Sequence, residues 1–462
     1  MKKHLQETGD YAHGSIIGHV LRLALPVMVA ELVHVLYNIV DRVYIGHIPG
    51  VGTAALSGVG IAFPLITLIN AFAGICGTGG APLCSIERGK HRDDEAQHIM
   101  ENAFTLLLGM GLALTIVLFL LRRPALTLLG ADESSLPYAD AYFSIYVAGT
   151  VFVMISLGMN PFITMLGHSV TGMVTIMIGA SLNIVLDPLF MFTFGMGIKG
   201  AAVATVISQF CSALWVVKSL RTKSWPLSIT RLSLDGKVVR KILALGAPGF
   251  MFKATNSLTQ AVANITLRLY GGPEGLLFIS SMAVINSLRE VVSLPTTSFA
   301  NSSQPIMGYN YGAKRYSRIR QTIGTITLVT LSVNLLNWAL VQFFPAALAR
   351  CFTSDSELIR VCVPSMRIYF AVFFMMSFQT IGQNTFVAMN CPKRAVFFSL
   401  FRKAILVVPL TLLLPQVGFG AHGVFVAEAV SQIVGASATF GTMVATIYRK
   451  LRRTPDGEPL QV

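Results

Sequence analysis

From end to end the chain carries one run of about 20 mostly apolar residues after another, the length a helix needs to cross a bilayer. About twelve such runs can be placed, centred near residues 32, 66, 110, 148, 179, 208, 254, 291, 332, 374, 406 and 435. At about 38 residues per run and connection, they use up all 462 residues and leave no length for a sizeable soluble domain. Lipid offers the backbone no hydrogen-bond partner, so runs of this kind fold as helices that satisfy their own N–H and C=O groups. Composition agrees, with 53% of residues hydrophobic and 12% charged, where a soluble surface takes about a quarter. The expectation is an all-α integral membrane protein. Its N-terminus, MKKHLQETGDYAHGS, lacks a short apolar core with a cleavage site, so the first helix reads as an uncleaved anchor.

The formal net charge of +14 invites a nucleic-acid reading, but its distribution does not. With the N-terminus inside, Lys2, Lys3, Arg88, Lys90, Arg92, the basic stretch 218–241, and the clusters around Lys314, Lys393 and Arg449 all fall on inner segments. The outer loops hold only about five cations, Arg122, Arg123, Lys199, Arg350 and Arg360, which places both termini in the cytoplasm. The basic excess is thus topological, and no nucleic-acid partner is expected. The six cysteines show no CxxC spacing and sit mostly in apolar runs, so neither a disulfide framework nor a zinc site is indicated.

The chain also repeats itself. Gly195, Gly197, Gly200, Ala204, Ser208 and Gln209 reappear as Gly418, Gly420, Gly423, Ala427, Ser431 and Gln432, all 223 residues on. Pro82 and Gly89 match Pro305 and Gly312 at the same spacing, Pro26 matches Pro248 at 222, and Asn160 matches Asn384 at 224. Two six-helix halves follow. Six is even, so both enter the membrane from one side as parallel repeats around an axis along the membrane normal. The expected division is a lobe at 1–225, a cytoplasmic linker at 226–241 and a second lobe at 242–462, with a central cavity suited to alternating access.

Ionisable groups at membrane depth are costly unless paired or facing a cavity, so each is a candidate for function. On the first helix Glu31, His34, Asn38 and Asp41 lie at i, i+3, i+7 and i+10, one helical face, with Tyr37 alongside. Asp41 reads either as a cation-coupling acid or, with Arg42 next to it, as a member of an ion pair at the outer interface. On the fifth helix Asn183 and Asp187 are i, i+4 neighbours, and Pro188 removes a backbone donor just after the acid. They suit a cation, and equally a hydrogen-bonded clamp between helices. Tyr142 and Asn160, 18 residues apart on the fourth helix, fall on one face at 3.6 residues per turn. In the second half, Arg289 and Glu290 are adjacent, either a self-compensated pair or cavity charges that govern the charge of the substrate. No metal cluster and no nucleophile with its base stands out, which argues against a membrane-embedded enzyme.

The stretches LPVMVAELVHVLYNIVDRVYIG, LNIVLDPLFMF and FGMGIKGAAVATVISQ resemble the multidrug and toxic compound extrusion (MATE) transporters, in particular their DinF-like and MepA-like prokaryotic branch. The resemblance covers nearly the whole chain. It implies a V-shaped pair of six-helix lobes in the cell (inner) membrane. Such a protein, taken here as a monomer, exports organic cations or amphipathic compounds in exchange for H⁺ or Na⁺ and needs no cofactor. It also implies a cation site at Asp41, Asn183, Asp187 and Thr205, with Na⁺ a candidate at the first three. Tyr142 and Asn160, together with Asn38 and Tyr37, would shape the network around the first-helix acid. Glu31, His34, Arg289 and Glu290 remain candidate cavity charges. Two departures stand out. Helices seven and ten carry Lys253, Arg268, Arg367 and Gln379 where a second-lobe sodium site would need acids, so that site is not expected. A cation at Arg42, directly after Asp41, is also unlike the family pattern. The nearest rival function is a lipid or lipid-linked oligosaccharide flippase, for which Lys253, Arg268, Arg289 and Arg367 would supply cations for phosphate groups.

Overall fold

The computed structural model describes residues 10–49, 51–133 and 135–460, leaving aside the side chains of residues 53 and 257. Lys2 and Lys3, used in the orientation count, lie outside the described residues. All regular structure among those residues is helical. The main helices are α1 (Ile16–Gly46), α2 (Gly52–Gly89), α3 (Asp93–Leu128), a bent α4 (Leu136–Ala148 and Thr150–Met165), α5 (Ser169–Thr193), α6 (Ile198–Leu220), α7 (Gly236–Tyr270), α8 (Gly275–Gly312), α9 (Tyr316–Phe343), a bent α10 (Ser356–Tyr369 and Phe373–Ala388), α11 (Pro392–Leu413) and α12 (His422–Arg453).

Nine of these helices are long and apolar enough to cross a membrane, and the bent pairs raise the number to eleven. The remaining one of the twelve expected, α7, forms as a continuous helix of 35 residues. It is too polar to qualify, because Lys253, Arg268 and a run of Thr, Asn and Gln interrupt its apolar stretches. The protein is therefore a multi-pass membrane protein.

The duplication is visible in the backbone itself. Residues with positive φ recur in pairs: His91 and Lys314, Gly167 and Asn390, Gly195 and Gly418, Gly197 and Gly420. Each pair is separated by 223 (314 − 91, 390 − 167, 418 − 195, 420 − 197). The bends correspond as well, 58° at Gly149 in α4 and 45° between Tyr369 and Phe373 in α10. Within the first unit α2 packs on α3 and on both halves of α4, and α6 on α4 and α5. Within the second, α8 takes the place of α2 and packs on α9 and both halves of α10, around a core that includes Leu267, Ile285, Phe370, Phe373 and Phe425.

The boundaries of the units differ from those expected. One unit holds Leu25–Gly246, while Tyr11–Ala24 groups with the chain from Ala247 onward. The segment 226–241, expected as the linker, groups with the first unit, and side-chain chemistry explains its attachment. Glu101 on α3 is 1% exposed. Its carboxylate accepts the backbone N–H of Thr230 at 3.1 Å, the Thr230 hydroxyl at 2.7 Å, the Arg231 Nε at 3.2 Å and the Gln97 amide at 3.1 Å. A buried carboxylate needs that many charge-assisted donors, so it ties the segment down. Farther along, α7 meets α2 so closely that a Cβ at Gly79 or Gly246 would collide with the carbonyls of Ile242 or Ile75.

Replacing Glu101 with Ala should cost about 1–3 kcal/mol and free the segment. Trypsin should then cut the purified protein faster at Arg221, Lys223 or Arg231. An unchanged digestion rate would show that the clamp does not hold the segment.

Candidate functional site

Asp41 comes from α1 and Asp187 from the end of α5, where a π-helical turn, Leu189–Thr193, follows Pro188. Their carboxyls lie within hydrogen-bonding reach of each other. Asp187 is fully buried. Its Oδ1 accepts the Asn183 amide at 3.1 Å, as the i, i+4 spacing on α5 requires. The same amide reaches the Thr205 hydroxyl on α6 at 3.3 Å, and that hydroxyl donates back to the Ala201 carbonyl at 2.9 Å. Asp41 Oδ1 and Asp187 Oδ2 are buried and take no hydrogen bond from any other described group.

Two tyrosines stand beside the acids, and a third backs one of them. Tyr37 interacts electrostatically with both carboxyls, and Tyr142 with Asp41, while the Tyr142 hydroxyl lies in hydrogen-bonding reach of Thr205. Tyr142 stacks on Tyr146 with ring centroids 6.2 Å apart and 17° between the planes. Tyr146 had no part in the sequence expectation, although its i, i+4 spacing from Tyr142 was the available signal. Both tyrosines are buried on the first half of α4.

The remaining expected residues spread out. Asn38 donates to the His34 carbonyl at 2.6 Å and lies 3.3 Å from the His34 ring nitrogen. The His34 ring makes an edge contact with Tyr37, with centroids 5.1 Å apart. These two residues therefore support Tyr37 from the same helix, while Glu31, farther along α1, is exposed. Asn160 does not join the acids. Its amide donates to the Gly172 carbonyl at 3.2 Å, eleven residues and about 16 Å along α5 from Asn183. The shared face expected for Tyr142 and Asn160 fails because the 58° bend at Gly149 separates them. Arg42 sets its guanidinium over the Phe63 ring, 5.1 Å from the centroid, and forms no ion pair with Asp41. Arg289 and Glu290 make no pair either. Glu290 is exposed, while Arg289 lines a cavity of the second unit with Lys403 and Glu428.

The donors around Asp41 and Asp187 are two carboxyls, an amide and hydroxyls. Two carboxylates so close repel unless a proton or a metal cation lies between them. Oxygen ligands suit a hard ion such as Na⁺ as well as a proton. The set therefore fits a proton or Na⁺, with Asp41, Asn183, Asp187 and Thr205 the residues that would hold it.

The MatE family model matches residues 26–189 and 253–413, more than half of the chain. The chain is 21% identical over 351 residues to the multidrug export protein MepA of Staphylococcus haemolyticus, covering 76% of each. It is 25% identical over 354 residues to the probable multidrug resistance protein YpnP of Bacillus subtilis, covering 75% of this chain and 77% of the relative. Among solved structures, a MATE crystal structure in a bent conformation aligns with a TM-score of 0.90 at 21% identity, covering 97% of this chain and 98% of that one. A transporter of the MOP superfamily from Pyrococcus furiosus aligns at 0.89 with 21% identity, covering 97% and 99%.

Replacing Asn183 with Ala removes the amide that joins Asp187 to Thr205. The first unit should lose about 1–3 kcal/mol, seen as a lower unfolding midpoint in detergent. The loss should shrink when Asp187→Asn is already present, because the two changes act on one bond. Full additivity of the two changes would contradict the contact.

Proposed function

The chain belongs to the MatE family of transporters, and on that premise we propose that it is a secondary active exporter of organic cations or amphipathic drugs. It exchanges them for H⁺ or Na⁺ by alternating access, and Asp41 and Asp187 carry the coupling. The observation behind this reading is the meeting of the two carboxyls, from α1 and α5, inside a wall of Tyr37, Tyr142, Asn183 and Thr205. The names of MepA and YpnP, a multidrug export protein and a probable multidrug resistance protein, support the substrate class.

The mechanism follows from charge and water. In an apolar interior the pair cannot hold two negative charges, so it takes up a cation. When the acids face water or an organic cation, the ion leaves. A driving ion can bias the transporter only by binding one of its states better than the other, and a pair of acids that tolerates its charge only when wetted supplies such a difference. Asn183 and Thr205 hold Asp187 in place, while the tyrosines give the site an aromatic wall against which an organic cation can rest. The cations of the inner connecting loops support a reading with both termini in the cytoplasm and the protein in the cell (inner) membrane. We read it as a monomer.

Efflux of a fluorescent organic cation from vesicles, driven separately by a proton gradient and by a sodium gradient, tests this reading. One gradient should drive efflux in the wild type, and Asp41→Asn and Asp187→Asn should each slow it by about tenfold or more, the effect of about 1.4 kcal/mol. A wild type that moves no organic cation under either gradient would sink multidrug antiport and favour lipid flipping.

A further inference from the structure

The second unit contains a small cavity of about 30 Å³ whose charge is the reverse of the site just described. Its wall includes Gln260, Arg289, Tyr369, Lys403, Thr411 and Glu428. Moved back by the repeat, Gln260, Tyr369 and Glu428 fall on Asn38, Tyr146 and Thr205 (260 − 222 = 38 at the spacing of Pro26 and Pro248, 369 − 223 = 146, 428 − 223 = 205). The cavity is thus the second unit's counterpart of the two-acid site. The acids themselves have no counterpart, since Ala263 and Leu410 stand where the repeat would put Asp41 and Asp187 (263 − 222 = 41, 410 − 223 = 187).

In their place come cations. Lys403 is 2% exposed, Arg402 7% and Glu428 5%. Glu428 Oε1 accepts Arg402 Nη1 at 2.8 Å and Lys403 Nζ at 3.2 Å, and Oε2 lies 3.3 Å from the same Nζ. The single acid of the wall is therefore engaged by α11. Arg289, reaching in from α8, has a buried Nε with no hydrogen-bond partner, and the buried Thr411 hydroxyl has none either. Three cations against one carboxylate leave a net charge of +2, and with Lys403 neutral the sum is still positive. Glu290, the next acid on α8, is exposed. Positive charge in a membrane interior is costly unless something negative meets it.

We propose that this cavity binds a monovalent anion, held by Arg289, Lys403 and the Thr411 hydroxyl. The ligand is a halide ion or the carboxylate of an anionic or zwitterionic substrate, chemistry that the acids of the first unit would repel. The space takes a single halide ion, or a carboxylate group whose remainder lies outside it. The proposal stands independently of the Asp41–Asp187 mechanism, since it concerns other residues in the other unit.

The test is thermal unfolding of the purified full-length protein, titrated with sodium chloride, bromide, acetate or benzoate against sodium gluconate at constant sodium and ionic strength. The wild type should show a saturable rise in midpoint. Arg289→Gln should abolish it or weaken half-saturation by about tenfold or more, the scale of a lost charge-assisted hydrogen bond. Thr411→Val, which keeps shape and charge, should weaken it several-fold and gives the answer if Arg289→Gln fails to fold. Response to halides alone identifies an inorganic ion, and response to acetate or benzoate identifies the carboxylate of a substrate. No saturable shift beyond gluconate with any of these anions overturns the proposal, as does a shift with unchanged half-saturation in the variants.

Discussion

Two carboxyls brought together from different helices in an apolar interior cannot both stay ionised without a cation between them. That constraint organises the first unit. Asp187 is fixed by Asn183, Asn183 by Thr205, and Thr205 by the turn of α6 beneath it. Asp41 arrives on a helix whose other polar residues, His34 and Asn38, bond along the helix and brace Tyr37. Each link is short range, so the pair answers to whatever reaches it, a proton, a metal ion or a positively charged molecule.

The duplicated backbone carries this arrangement twice with opposite signs. Positive-φ residues and helix bends recur at matching places, and Tyr146 and Tyr369 occupy corresponding positions in the two walls. The side chains then diverge. Acids on α1 and α5 give the first unit its negative site, whereas Arg289, Arg402 and Lys403 outnumber Glu428 in the second. One scaffold thus carries a buried pair of acids in one unit and a cation-lined cavity in the other, a separation of chemistry that a single symmetric site could not provide.

Much of this was legible in the sequence, because hydropathy and spacing are local. The apolar runs locate the helices, the 223-residue period locates the duplication, and the i, i+4 relation of Asn183 and Asp187 predicts the bond that forms. What escaped depends on tertiary geometry. Asn160 was placed with Tyr142 by counting turns along a straight helix, and the bend at Gly149 undoes the count. Segment 226–241 looked like a linker because its composition is that of one, and only the burial of Glu101 across from it shows why it is held. Arg289 and Glu290 are neighbours in the chain, yet helix rotation sends one to the cavity and the other outward.

The most direct test of the central claim is to count the ions displaced when an organic cation binds the purified protein, following protons with a pH indicator in weak buffer and sodium with a radioactive tracer. If Asp41 and Asp187 share one cation that the substrate replaces, about one ion of a single kind should leave per protein. Asp41→Asn and Asp187→Asn should then release none. Release of the same number of ions from both variants would contradict the account.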